Sequence, residues 1–527
     1  MSTQAETRIE RATAPAAGVN PWLIAIVVAL ASFMEVLDTT IANVALRYIA
    51  GGMGVSQDEA SWVVTTYLVA NAIIVTATGF LAKKFGRKAF FLTCVGVFTM
   101  SSVLCGVAPN LQFLLLFRLL QGFGGGGMVP VAQSILADSF PAAKRGQAFA
   151  LFGVAVVVAP VVGPTLGGWL SDNISWTWCF LINGPVGLAS LVLVFLLVKD
   201  SAPAEKGVPF DFGGFILVAA FLGALEVILD RAQEDDWFGS NLIITFTVIS
   251  ALAFLFFIPW EATRRNPLVD LRMVVTRQFG ACFLVMLATG AILLATTQFL
   301  PELVQADFGY TATWSGFVLA PGGLVTMVMM FVAGPLSSRV QPKYLIALGA
   351  IACALSMYSM TNLEGDLDFW FFVKSRMLLG IGLPLIFVPI LAASYDGIPR
   401  DKTDQASALL TAARNTGGSI GVSLASNVLA FREQFHQSRL AEQAIPSSIS
   451  YQQTLQQVTH YFVVQGSSTL QATQQALAWI GQQVQTQASL LAYIDVFWTL
   501  TLVSALAVPL ALLLRDIKLG APAPTGH

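Results

Sequence analysis

The sequence predicts an all-α polytopic membrane protein with fourteen transmembrane helices. Of its 527 residues, 56% are hydrophobic and 11% are charged, and the mean hydropathy is +0.72. A soluble chain of this length needs about 25% charged residues to cover its surface, so most of this surface faces something other than water. Apolar runs of membrane-spanning length recur along the chain, and basic residues collect in alternate connecting segments. The net charge of −2, without a basic patch, excludes nucleic-acid binding as a function class.

The individual spans follow from the length of each apolar run. A helix needs about 20 mostly apolar residues to cross a bilayer. The first run is too long for the apolar segment of a cleaved signal peptide, so we expect it to stay as the first span. The predicted spans are 22–46, 60–81, 89–108, 111–136, 147–169, 178–198, 212–230, 241–260, 279–301, 314–337, 343–362, 369–395, 405–430 and 493–514.

The distribution of Lys and Arg predicts the orientation. Lys and Arg favour the cytoplasmic connections of membrane proteins. With a cytoplasmic N-terminus, 20 of the 28 Lys and Arg residues fall in inside segments and only Arg47, Arg231, Arg432 and Arg439 fall in outside loops. A miscount of one span would invert this alternation. We therefore predict a multi-pass protein of a bacterial inner membrane with both termini in the cytoplasm.

Residues 431–492, between the last two spans, form a long predicted external loop. It contains 15 glutamines, and its apolar residues recur loosely at helical intervals. Two interpretations are open: a solvated helical cap over the external mouth, or a docking surface for a periplasmic partner.

Two carboxylates lie in the first span. Glu35 and Asp38 are one helical turn apart and therefore share a face. Intramembrane charges are costly, which makes each a functional hypothesis. Burial favours the protonated form of a carboxylate, and such a group can exchange protons near neutral pH, as a proton-coupled carrier requires. The alternative for both residues is a structural hydrogen bond to a neighbouring helix.

Arg118 lies in the fourth span, at the start of a glycine-rich sequence, Arg118–Gly127. A permanent cation needs a partner there, and the face of Glu35 and Asp38 is a plausible one. The glycines allow another backbone to approach closely. A phosphate-binding loop is excluded, because no Lys-Ser/Thr pair follows and the stretch lies in an apolar helix.

Two further motifs are candidates for conformational change. The fifth span ends with Gly163, Pro164, Gly167 and Gly168, a pattern that either kinks a helix for packing or forms a hinge between two halves. The connection after the second span is short and basic, with Gly79, Gly86 and Arg87 among its residues 79–88.

These four sequences, 37–46, 79–88, 118–127 and 163–168, resemble the signature motifs of the major facilitator superfamily. They are most similar to those of its 14-span drug:proton antiporters of the EmrB/QacA type. Residues 176–185 and 308–316 also resemble that branch, so the likeness covers nearly the whole chain. One residue departs from the pattern: the loop motif usually has an acid where this chain has Lys83, which places the latch formed by that acid in doubt.

The resemblance implies a major facilitator fold: two six-helix bundles with two inserted helices and rocking-bundle alternating access. The expected divisions are a cytoplasmic tail (1–20), an N-terminal bundle (21–198), two additional helices with linkers (199–278), a C-terminal bundle (279–514) and a cytoplasmic tail (515–527). It also implies proton-coupled efflux of hydrophobic or amphipathic compounds, with a periplasmic adaptor and an outer-membrane channel as partners.

The candidate site residues follow from these motifs. We expect Asp38, Glu35, Arg118 and Glu226 to take part in proton coupling, and Arg414, Asn43 and Gln121 to contact substrate. Glu226 and Asp230 in span 7 could form a second proton site or could be surface carboxylates at a span end. Arg376 in span 12 could bind an anion, pair with an acid or extend to the membrane surface.

Other functions fit less well. A proton-coupled carrier of a narrow substrate, such as a fatty or aromatic acid, remains the alternative, and an uptake carrier would share the fold. No filter-like loop indicates a channel. Enzymatic, metal and cofactor functions are not predicted, because the histidines lie outside the spans without ligand spacing. The five cysteines lie in apolar stretches and are interpreted as packing residues.

Overall fold

The computed structural model describes residues 20–199, 210–264, 267–365 and 367–517. Most of the predicted N-terminal tail, part of the linker before span 7 and the end of the C-terminal tail lie outside the described residues. The basic residues Arg8, Arg11, Lys206, Arg265 and Lys518, and His527, lie there too.

Within the described ranges the long regular elements are α-helices, as predicted. They are α1 Pro21–Met53, α2 Gln57–Phe85, α3 Arg87–Gly106, α4 Leu111–Gly125, α5 Met128–Ser139, α6 Ala142–Asn173, α7 Trp178–Leu181, α8 Asn183–Leu197, α9 Phe212–Arg231, α10 Asn241–Thr263, α11 Leu271–Val275, α12 Arg277–Ala306, α13 Ala312–Ser337, α14 Pro342–Ser359, α15 Phe369–Ser394, α16 Thr403–Gln443, α17 Ile449–Val464 and α18 Thr469–Leu512.

Thirteen of the described helical segments are long and apolar enough to cross a membrane. The remaining predicted span, 405–430, lies on α16, which is too polar to meet that criterion. It nevertheless packs lengthwise against α12, α18 and α2. One of its polar residues, Asn415, bonds Asn71 of α2. Contacts of this kind explain its low hydropathy, because a helix surrounded by protein does not need an apolar surface all round.

The helices pack in two halves that meet along two seams. We call residues 20–199 the N-terminal half and residues 277–517 the C-terminal half. On one seam α6 packs against α13 and α15, and on the other α16 packs against α2 and α5. The inserted helix α9 packs on α10, α2 and α16, whereas α10 leaves large apolar side chains such as Leu255 and Phe256 exposed. The predicted domain boundaries remain a prediction.

The predicted external loop is helical almost throughout. Helix α16 continues to Gln443, α17 spans Ile449–Val464 and packs on α18, and α18 begins at Thr469, far before the predicted span 493–514. Ser448 caps α17, and Ser468 forms a capping box with Gln471 on α18. We call residues 431–492 the hairpin, and the end of the molecule that carries it the hairpin end. The opposite end, which carries residues 84–88, 140–145 and 395–402, is called the basic end.

The fourth predicted span is broken at Gly126 and Gly127, between α4 and α5. The glycines let this segment lie directly against α2. A Cβ on Gly122 would lie 2.5 Å from the carbonyl oxygen of Tyr67, and one on Gly126 would lie 2.6 Å from that of Asn71. Such spacing excludes any larger residue, so the glycine run fixes the distance between α4 and α2.

Candidate functional site

Asp38 and Arg118 form an ion pair in the interior of the N-terminal half. A guanidinium nitrogen of Arg118 lies 2.7 Å from Oδ2 of Asp38, and both side chains are fully buried. Oδ1 of Asp38 accepts hydrogen bonds from Nε2 of Gln121 at 2.9 Å and from Nδ2 of Asn183 at 2.7 Å. Both carboxylate oxygens are therefore satisfied, which is the condition for keeping an ionised acid away from water.

Arg118 is held on several sides. Its Nε donates to the carbonyl oxygen of Val63 at 2.9 Å, and a terminal nitrogen donates to Oε1 of Gln121 at 2.8 Å. Its guanidinium carbon lies 4.3 Å from the centre of the Tyr67 ring and 5.5 Å from that of Phe180. The planar cation thus lies close to two aromatic rings as well as being paired, an arrangement that the flexible ammonium of lysine cannot reproduce.

Glu35 lies in a separate, adjoining network. Its Oε1 accepts from the hydroxyl of Tyr67 at 3.2 Å and from Nδ2 of Asn71 at 3.0 Å, and its buried Oε2 has no hydrogen-bond partner in the part of the chain that the structure describes. Arg118 therefore pairs with Asp38 rather than with Glu35. Tyr67 joins the two sites, because its ring lies under Arg118 while its hydroxyl bonds Glu35.

The Glu35 network crosses from one half to the other. Oδ1 of Asn71 on α2 accepts a hydrogen bond from Nδ2 of Asn415 on α16 at 3.1 Å. Oδ1 of Asn415 in turn accepts from Arg414, at 3.2 Å from Nε and 3.0 Å from a terminal nitrogen. A continuous polar path thus connects a carboxylate of the N-terminal half to a cation of the C-terminal half.

Glu226 lies at the seam where α9 meets α2 and α16. It is 3% exposed and lies near Ser419 of α16, and its Oε2 has no hydrogen-bond partner among the described residues. Asp230, one turn away, accepts from the hydroxyl of Thr65 on α2. The interpretation of Glu226 as a surface carboxylate is therefore wrong, because the helix turns this face towards both halves.

Arg87 connects the halves at the basic end. It pairs with Asp138 at the end of α5, and its Nε lies 2.7 Å from Oδ1 of Asp404 in the first turn of α16. Close by, Ser134 donates to Ser407 at 2.8 Å, and Phe149 stacks on Tyr395 with ring centres 5.6 Å apart. A latch between the halves exists although position 83 is a lysine, because Asp138 and Asp404 supply its carboxylates.

The motif glycines act at close helix contacts. A Cβ on Gly79 would lie 2.9 Å from the backbone of Gln405 on α16, and Gly163 has no room for one against Thr40 of α1. A Cβ on Gly167 would lie 3.2 Å from the carbonyl oxygen of Ile41. Gly86 has a φ of +86°, which permits the tight turn between α2 and α3. Pro160 and Pro164 lie inside the continuous helix α6.

The candidate substrate-contacting residues lie in different environments. Gln121 is buried and bonded to Asp38 and Arg118, so its position suits holding the ion pair. Asn43 is exposed on α1, away from these networks. Arg414 is partly buried, and one of its buried nitrogens has no hydrogen-bond partner within the described ranges. Arg376 is 5% exposed and bonds two threonine hydroxyls, so it neither reaches the membrane surface nor, among the described residues, pairs with an acid.

Sequence reasoning missed Asn71, Asn183 and Asn415 as parts of these networks. Each is an amide side chain within or beside an apolar run, and this unusual position is the feature of the sequence that could have identified it. An amide in such a position needs partners for two donors and one acceptor, which predicts a polar contact but not its identity. Tyr67 gave no signal, because an aromatic residue in a membrane helix is ordinary.

Curated relatives resemble the chain over most of its length. It is 35% identical over 490 residues to the multidrug export protein EmrB of Escherichia coli K12, covering 92% of this chain and 93% of that protein. It is 36% identical over 439 residues to the fatty acid resistance protein FarB of Neisseria gonorrhoeae, covering 83% and 87%. The identity to the probable multidrug resistance protein EmrY of E. coli K12 is 34% over 429 residues, covering 81% and 84%.

A family profile and a solved structure agree with these relatives. The profile described as Major Facilitator Superfamily matches residues 28–422. The crystal structure of the human organic anion transporter MFSD10 (TETRAN) superposes with a TM-score of 0.55, covering 92% of this chain and 100% of that chain at 15% identity. At this identity the likeness shows the fold alone.

Proposed function

The chain belongs to the major facilitator superfamily, among its EmrB-type multidrug exporters, and on that premise we propose that it expels amphipathic compounds in exchange for protons. It is a multi-pass membrane transporter and not an enzyme. The proposal places it in a bacterial inner membrane with both termini in the cytoplasm. Export proceeds by alternating access of one central site, as the two halves rock against each other.

The observation that carries proton coupling is the buried Asp38–Arg118 pair. Asp38 is the proton-carrying group in the proposal. When its carboxylate takes up a proton it loses the charge that balances Arg118, so the pair weakens while Gln121 and Asn183 keep the acid in place. Because both side chains are fully buried, changing the charge of one alters the local energy far more than it would at a surface.

Glu35 extends this coupling to the C-terminal half. Its protonation changes the hydrogen bonds of Asn71, and Asn71 is bonded to Asn415 on the moving α16. Arg414 bonds the same Asn415. A proton in the N-terminal half can therefore alter contacts that hold the halves together, which is what an antiporter requires. Glu226 is a second candidate proton site because it is buried at the same seam.

The proposed substrates are hydrophobic or amphipathic organic compounds. The relatives named for multidrug export and for fatty acid resistance support this class. A narrow substrate such as a fatty or aromatic acid is the second candidate, favoured by the buried Arg376 and the partly buried Arg414 of the C-terminal half.

The direct test is dye efflux driven by a pH gradient in inverted membrane vesicles. We expect the native protein to move a lipophilic dye and Asp38→Asn to bind the dye without moving it. The matched control is Asp172→Asn, which makes the same chemical change at an exposed position at the end of α6. Normal transport by Asp38→Asn would show that the acid is structural. A native protein that moves no dye of a broad panel would contradict the exporter proposal.

The hairpin is proposed as the docking surface for a periplasmic adaptor, which would connect to an outer-membrane channel. It consists of the end of α16, all of α17 and the start of α18, and it exposes apolar side chains: Ile449 (77%), Val464 (73%) and Leu470 (73%). Replacing residues 446–467 by a short flexible linker removes α17 but keeps α16 and α18 complete. Equal capture of a periplasmic adaptor by the shortened and intact proteins would contradict this role.

A further inference from the structure

Arg376 of α15 is a cation enclosed at the seam between the two halves. It is 5% exposed and lies about 10 Å along the helix from the start of α15 at the hairpin end. Among the described residues no carboxylate lies within ion-pairing distance of it. The other buried arginines, Arg87, Arg118 and Arg231, each pair with at least one acid.

Two threonines hold the guanidinium in place without neutralising it. Its terminal nitrogens donate to Oγ1 of Thr296 at 3.0 Å and to Oγ1 of Thr297 at 3.2 Å. The hydroxyl protons of both threonines are already donated to carbonyl oxygens of α12, one turn earlier. The oxygens therefore face Arg376 as fixed acceptors. Neutral hydroxyls orient a cation, but they leave its charge unbalanced in a low-dielectric interior.

Arg376 is one of the residues that line a cavity of about 10 Å³ at this seam, which has room for about one water molecule and is lined mainly by apolar side chains. Both halves contribute: Val157 and Val161 come from α6, and Leu293, Leu379 and Leu383 come from α12 and α15. Thr326 adds a hydroxyl. One cation in an apolar lining matches a ligand with a single negative charge on a hydrophobic body.

The cavity lies where the halves separate in alternating access. A Cβ on Gly323 of α13 would lie 2.9 Å from Cγ1 of Val161, so α6 and α13 touch at the cavity wall. On the other side Gly322 lies against the stem of Arg376, where a Cβ would lie 2.5 Å from Cγ. Movement of α6 relative to α13 therefore opens or closes the space in front of Arg376.

We propose that, when the halves separate and widen this cavity, Arg376 binds the anionic head of amphipathic substrates, a carboxylate for example, with the hydrocarbon part against the valines and leucines. The proposal rests on the exporter function and gives it a substrate class: monoanionic amphipaths. A carboxylate of the substrate would balance the charge of Arg376, which no acid among the described residues balances. It would also form charge-assisted hydrogen bonds to the guanidinium.

The test compares two ligands that differ in head-group charge, dodecanoate and dodecanol, by titration of purified protein in nanodiscs, with empty nanodiscs as the blank. We expect the native protein to bind dodecanoate about tenfold more tightly than dodecanol, because a hydrogen-bonded charge is lost in the alcohol. Arg376→Gln should remove this preference and leave dodecanol binding unchanged within about twofold. Arg376→Lys should retain part of the preference.

Three results would overturn the site. The preference for dodecanoate over dodecanol could survive in Arg376→Gln, or that variant could lose binding of both ligands equally. The third is a preference that disappears in Arg414→Gln and not in Arg376→Gln. The native preference is measured without any variant, so a variant that fails to fold does not remove the test. Vesicle efflux separates the two proposals. Gradient-driven dye export by a protein that does not prefer dodecanoate over dodecanol would contradict only this binding site. An Arg376-dependent preference for dodecanoate in a protein that exports no dye would contradict only the exporter function.

Discussion

Asn71 of α2 and Asn415 of α16 meet across the seam between the halves, 3.1 Å apart, although 344 residues separate them in the chain. Asn71 bonds Glu35, and Asn415 bonds Arg414. The acid and the cation thus influence each other through two amides rather than by direct contact. An amide pair suits a contact that must break in each transport cycle, because a neutral hydrogen bond contributes only about 1 kcal/mol net.

We predict that Asn415→Ala slows transport several-fold while the melting temperature changes little. Loss of one hydrogen bond of about 1 kcal/mol shifts the balance between the closed and open seam by about fivefold. Dye efflux in vesicles measures the rate, and spin-label distances between α2 and α16 measure the opening. Asn173→Ala is the control, because the Asn173 amide only bonds a carbonyl of its own helix. An unchanged distance distribution in Asn415→Ala would contradict the role of this contact.

We predict that Arg118→Gln destabilises the protein strongly and that Asp38→Asn in the same chain restores much of the loss. Removing one partner leaves a buried charge without compensation, at a cost of about 3–5 kcal/mol. The double variant has no such charge, so its thermal stability in detergent should exceed that of Arg118→Gln.

Transport should stay absent in that double variant, since no proton-carrying acid remains in the pair. Strictly additive losses of stability in the two single variants would contradict the interaction. Arg118→Lys serves as a further comparison and should not restore function, because an ammonium cannot form the same three hydrogen bonds while lying close to two rings.

We predict that Gly163→Ala destabilises the protein by about 1–3 kcal/mol, because its methyl group would collide with Thr40 and force α1 away from α6. Gly168→Ala, on the same helix, is the matched control: its Cβ would lie 3.9 Å from Val44, an ordinary contact. Thermal unfolding monitored by size-exclusion chromatography compares the two. Equal stability of both variants would show that α1 and α6 do not need this close approach.

We predict that Arg87→Gln opens the basic end. The variant removes two ion pairs that join α3 to α5 and α16, and both Arg87 and Asp404 are largely buried. A cysteine placed at Ala408, which is buried near this seam, should then react faster with a membrane-impermeant maleimide in inverted vesicles.

The control for the latch is Arg439→Gln, which breaks an exposed ion pair with Glu442 in the hairpin. Exposed pairs of this kind contribute about 0–1 kcal/mol, so labelling at position 408 should stay unchanged. Equal labelling in the native protein and in Arg87→Gln would contradict the latch.

The sequence by itself determined the membrane class, thirteen of the fourteen predicted spans as apolar helices, and the identity of the costly charges Asp38, Arg118 and Arg376. This was possible because a helix needs about 20 apolar residues to cross a bilayer, so each charged residue within such a run is visible in the sequence. It also pointed to α16 as a span, although that helix is polar, through the alternation of basic residues. The helical course of the hairpin was only loosely indicated, because its glutamine-rich pattern has weak periodicity.

Only the tertiary structure decided which charges meet. From the sequence, Arg118 had two possible partners, and the tertiary structure, in which the side chain of Arg118 on α4 reaches Asp38 on α1, assigned it to Asp38 and left Glu35 to Asn71. It also supplied the latch carboxylates Asp138 and Asp404 that the loop motif lacks, and it left Arg376 without an acid partner among the described residues. The physical reason is that hydropathy depends on each helix alone, whereas a buried charge is balanced by residues that lie far away in the chain and become neighbours only when the helices pack.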